Sequence, residues 1–119
     1  LLVAGLFNEA QTARKAGRKD EAARLTTELV AHMPGDPAAT LIAAQSQLQD
    51  KNDARGALAT LAALQVPDSN FRLVMGKGLA IAQAYQSLGL KDSARFVLEG
   101  LKQKFPQSRR IQEALDKLR

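Results

Sequence analysis

Apolar residues along the chain recur at three- and four-residue intervals, and glycines, prolines and short polar clusters interrupt them repeatedly. That rhythm predicts amphipathic helices separated by turns. The first is expected over about residues 2–16, with Leu2, Leu6, Ala10 and Ala13 on one stripe and Gly17 at its end. The second is expected over 19–31, with Ala22, Leu25 and Leu29 inward and Pro34 beyond it. Asp36 then caps a third helix opened by Pro37, which needs no N–H there, and Leu41, Ala44 and Leu48 form its buried stripe. A fourth, started by Asn52 or Asp53, runs to about Gln65 before Val66-Pro67. Asp68, Ser69 or Asn70 caps a fifth that reaches Leu88, and a sixth covers 91–104. After Pro106 and Ser108, a last segment carries Ile111, Leu115 and Leu118 on a narrow stripe. No alternating run is long enough for a strand. Seven helices on short loops pack mostly antiparallel to their neighbours.

Two of these stretches repeat one another. Residues 88–108 read LGLKDSARFVLEGLKQKFPQS, and residues 16–36 read AGRKDEAARLTTELVAHMPGD. At an offset of 72, Gly17 answers Gly89, Lys19-Asp20 answers Lys91-Asp92, Ala22 answers Ala94, Leu29 answers Leu101 and Pro34 answers Pro106. Between them KNDARGALATLAALQVPDS places Ala57 35 residues after Ala22 and 37 before Ala94. The chain therefore repeats a helix pair of about 34 residues, the hallmark of stacked supersecondary units.

On these residues the sequence resembles the tetratricopeptide repeat family. The first unit, 3–36, offers Leu6, Ala10, Ala13, Ala22, Leu29 and Pro34. The second, 38–71, offers Leu41, Leu48, Ala57, Leu61 and Leu64. The third, 75–108, matches best, with Ile81, Ala82, Tyr85, Ala94, Leu98, Leu101 and Pro106. Paired small residues, Ala10 with Ala22 and Ala82 with Ala94, let two helices approach while larger side chains fill the space around them. Gln45 opposite Ala57, Ser69 in place of proline and Thr26 in place of a large aromatic depart from the pattern, and leave the middle register open by about one residue. Residues 108–118 resemble the extra helix that follows the last repeat, with one wet face as a cap requires.

The resemblance implies an all-α, right-handed superhelical stack of helix-turn-helix repeats, an α-solenoid, over the whole of 1–119. It implies a concave groove, lined by the first helix of each pair, that binds an extended peptide or a helix of a partner protein. The groove positions fall on Phe7, Asn8, Gln11 and Arg14, on Ile42, Ala43, Ser46 and Gln49, and on Leu79, Ala80, Gln83 and Gln86. Phe7, Ile42 and Leu79 would form an apolar spine flanked by amides. Where one subclass grips a C-terminal carboxylate with Lys, Asn and Arg, this chain has Phe7, Gln11, Ala43, Gly76 and Ala80. An apolar peptide or amphipathic helix fits those residues better; further repeats of the parent chain are the other candidate occupant.

Composition narrows the chemistry. There is no Cys, which removes disulfides and thiolate catalysis and leaves cytoplasm and periplasm equally open. His32 is the only His, so neither a His-based metal site nor an acid–base set with a nucleophile can be assembled, and no cofactor or metal is expected. A non-enzymatic chain is the expectation. MGKGLA at 75–80 lacks the spacing and preceding strand of a phosphate loop; its glycines suit close helix approach. Tyr85 sits where the family packs Tyr in the core.

The net charge of +5 raises nucleic acid as a partner through Lys91, Arg95, Lys102, Lys104, Arg109 and Arg110. Interspersed acids and scarce aromatics disfavour it. The opening LLVAGLF is too short to span a membrane. It suggests a fragment of a longer protein, with Leu1, Leu2 and Val3 covered by something upstream, or self-association through the first helix. The Ala- and Gln-rich composition suggests a bacterial assembly or secretion protein, and the runner-up function is a structural scaffold.

Overall fold

The computed structural model describes residues 2–119, and Leu1 lies outside them. Seven helices follow in order: α1 Val3–Lys15, α2 Lys19–Ala31, α3 Pro37–Gln49, α4 Ala54–Ala63, α5 Phe71–Ser87, α6 Lys91–Lys104 and α7 Arg109–Lys117. Among the described residues there is no strand. The chain divides into two units, one ending at Gln65 and the other spanning Val66–Arg119. In the first, α1 packs on α2, α2 on α3 and α3 on α4. In the second, α5 packs on α6 and α6 on α7.

The helix starts follow the capping residues. Asp36 accepts from the Ala38 N–H at 2.9 Å, and Asp53 accepts from the Gly56 N–H at 2.9 Å. Asn70 accepts from the Leu73 N–H at 3.2 Å, and Ser108 from the Ile111 N–H at 3.4 Å. Each satisfies an N–H that has no partner within its helix. Gly17 and Gly89 adopt φ of 82° and 78°, closing α1 and α5 with the same turn. In each, the residue after the glycine donates its N–H back to the last helical turn, Arg18 to Ala13 and Leu90 to Tyr85. Helix α4 stops two residues short of the expected Gln65, because Leu64 turns extended and buries its side chain.

The middle pair differs by one residue. Ala16, Gly17 and Arg18 join α1 to α2, and Leu88, Gly89 and Leu90 join α5 to α6, whereas Asp50, Lys51, Asn52 and Asp53 join α3 to α4. Asn52 takes the positive φ, 53°, that glycine supplies elsewhere. The added residue shifts α3 against the repeat pattern, so Ala44 rather than Gln45 is fully buried, in the same unit as Ala57. This fixes the middle register.

The cores are built as the small-residue pattern requires. Leu6, Ala10, Ala13, Ala22, Leu25 and Leu29 form one cluster, with Val30, Met33 and Ile42 packed against it. Ala82, Ala94, Leu98, Leu101, Ile111 and Leu118 form the other, and Tyr85 packs on it. Leu2, expected on the α1 stripe, is instead 84% exposed at the N-cap position, before the first turn of the helix.

Gly78 shows why glycine stands inside α5. A Cβ built there would lie 2.5 Å from Leu101 Cδ1 and 2.9 Å from its Cγ. Gly78→Ala gains about 1 kcal/mol of helix propensity but collides with a buried leucine. We expect it to lower stability by about 1 kcal/mol in urea denaturation. In a Leu101→Ala background the same change should be neutral or stabilising.

Candidate interaction surface

In the first unit, α1, α2 and α3 leave a recess of about 210 Å3, lined among others by Phe7, Gln11, Thr26, Ile42, Gln45 and Gln49. Phe7 is 38% exposed, and Ile42 is half-buried beside the core. Thr26 sits at the back of it. The same repeat position holds Leu61 in α4 and Leu98 in α6, both fully buried. Thr26 is smaller, and its hydroxyl is occupied in donating to the Ala22 carbonyl at 2.8 Å. A threonine thus stands in the lining of this recess where the sister helices carry leucine.

Several residues expected in the groove do not line this recess. Asn8 is exposed outside the recess, where its carbonyl accepts from the Thr12 hydroxyl at 3.0 Å. Ala43 and Ser46 line a different recess, with Thr27, Val30 and Thr60. Gln45, rather than Ser46, is among the residues that line the α1–α3 recess. Ala80 is buried rather than presented.

Arg14 touches the recess but is already engaged. Its Nε donates to Asp50 Oδ1 and its Nη2 to Oδ2, both at 2.6 Å, and its Nη1 donates to Gln11 Oε1. Ser46 donates its hydroxyl to Asp50 Oδ2 at 2.7 Å. The Asp50 side chain is 0% exposed and that of Arg14 20%. Burial pushes the Asp50 carboxyl up, but hydrogen bonds from Arg14 and Ser46, with the charges of Arg14 and Lys19, outweigh it and hold the carboxyl below its ordinary value. The Arg14 guanidinium is raised, first by its hydrogen bonds to Asp50. This two-pronged pair ties α1 to the end of α3. It was not anticipated from sequence.

In the second unit, α5 and α7 border a broader recess of about 570 Å3. Leu79, Gln83 and Gln86 line it from α5, and Arg110, Glu113 and Lys117 from α7. Helix α7 is held to α6 by Lys102, which donates to Gln112 Oε1 at 2.7 Å, and by Arg95, which donates to the Leu118 carbonyl at 3.3 Å. Phe71 and Phe105 meet edge to face with ring centroids 6.1 Å apart.

Among the described residues no cluster of His, Cys, Asp and Glu could hold a metal ion, and no helix is long and apolar enough to cross a membrane. No curated protein and no solved structure matches the chain. Residues 79–108 match the family model for the tetratricopeptide repeat, a segment that includes Ala82, Tyr85, Ala94, Leu98, Leu101 and Pro106. Over those residues the chain is similar to the tetratricopeptide repeat, a protein–protein interaction repeat of a typically non-enzymatic family.

Proposed function

We propose that the protein is a non-enzymatic interaction module whose α1–α3 recess receives an apolar side chain of a partner peptide or helix. The single observation that carries this is the recess itself: Phe7 half-open at its rim, Ile42 beside it, and the small Thr26 behind. Gln11, Gln45 and Gln49 surround it with amides that can donate to and accept from a partner's backbone. In the second unit Leu79, Gln83 and Gln86 offer the same combination. Placement within a bacterial assembly or secretion protein is supported by the Ala- and Gln-rich composition alone.

Selection from a displayed library of random peptides tests this. Clones retained by the unmodified chain should lose at least about tenfold in affinity to Phe7→Glu and bind Phe96→Glu normally, because Phe96, 79% exposed on α6, is equally aromatic but away from the recess. Equal loss with both variants, or with neither, would refute the site. The scaffold reading draws on the exposure of Leu2 and Val3. It requires concentration-dependent oligomers in light scattering, and in that case no peptide would compete with them.

A further inference from the structure

The charge is not shared between the two units. Up to Gln65 the chain has seven basic and seven acidic residues; from Val66 onward it has ten basic and five acidic. The entire formal excess of +5 therefore belongs to the second unit. Two of its cations, Arg110 and Lys117, face the α5–α7 recess, and neither is in an ion pair among the described residues. By contrast, Arg95 is paired with Asp92 and Arg119 with Asp116.

We infer that the second unit docks an acidic amphipathic helix of a partner protein along the α5–α7 recess. Arg110 and Lys117 stand two turns apart on α7, about 10 Å along its axis at 1.5 Å per residue. A partner helix with carboxylates seven residues apart matches that separation, and its apolar face has Leu79 and Ala114 in the lining to pack on. Gln83 and Gln86 complete the rim with groups that both donate and accept. Nucleic acid fits less well. Glu113 lies between the two cations and opposes a continuous phosphate backbone, while spaced carboxylates straddle it. No aromatic ring lines the recess for a base to stack on. The inference rests on the interaction-module reading but not on the α1–α3 recess.

The test is fluorescence anisotropy with the whole chain and a labelled Ala/Leu-based helical peptide of roughly 15 residues bearing Glu at positions seven apart. Its Gln-substituted twin and a single-stranded oligodeoxynucleotide of similar length serve as comparison probes. The Glu peptide should bind, weaken as salt rises, and lose about tenfold in affinity to Arg110→Glu/Lys117→Glu. Lys15→Glu/Arg24→Glu, an equal change of net charge in the first unit, should leave it within about twofold. The Phe7→Glu variant should also bind it normally, so that failure of this site and failure of the α1–α3 site are read separately. Equal binding of the Gln twin, equal loss in the first-unit variant, or tighter binding of the oligonucleotide would each overturn the inference.

Discussion

Arg14→Met will destabilise the protein by about 3 kcal/mol, because it leaves the Asp50 carboxylate buried without its cation. The reverse truncation should cost less. Asp50→Ala strands a guanidinium that is already 20% exposed and can turn toward water, so a loss of roughly 1–2 kcal/mol is expected. Arg14→Met/Asp50→Ala should fall well short of the sum of the two, since the second change removes the orphan that the first creates. Urea denaturation of the four proteins measures all three quantities. The pair also sets an acid limit. Asp50 has a folded-state pKa below its unfolded value near 3.8, so its contribution is fully present above that pH. It is lost as pH falls from there through the folded pKa. Between pH 7 and pH 3 the Asp50→Asn variant should therefore lose less stability than the unmodified protein.

Leu98→Thr is the second large effect. Leu98 is 2% exposed in α6, and threonine there reproduces the situation of Thr26 in α2, with Ala94 four residues back to accept the hydroxyl as Ala22 does. The helix should persist by circular dichroism. The packing should not, and a loss of about 3 kcal/mol is expected from the deleted volume and the cavity left behind. Thr26→Leu is the opposite change in the sister helix. It adds apolar volume to an open recess rather than a closed core, and should raise stability by about 1 kcal/mol. If Leu98→Thr were harmless, small residues at this repeat position would be tolerated anywhere, and Thr26 would mean nothing for the recess.

Most of the fold was legible because its punctuation is local. Gly17, Gly89, Asp36-Pro37 and Pro106 each act on the backbone within a few residues, and α2, α3 and α6 begin and end where those residues place them. The middle turn was harder. Asn52 performs there the task that glycine performs in its sisters, so the added residue carries no compositional mark, and Gln45 in the recess lining was not foreseen. The Arg14–Asp50 pair was not legible at all. Its members are 36 residues apart, and no periodicity separates a charge facing solvent from one folded against another helix. The recess behind Phe7 lay between these cases: Thr26 was visible as a departure from the repeat pattern, but the space it opens appears only once α1 and α3 are placed around it.

Binding by Thr26→Leu is the decisive measurement for the α1–α3 recess. The change fills the α1–α3 recess from behind and leaves Phe7, Gln11 and Gln49 in place at the rim. Measured by calorimetry against a peptide selected on the unmodified chain, the variant should be more stable and bind at least about tenfold more weakly. Unchanged affinity in a stabilised variant would show that the partner is held by something other than the recess.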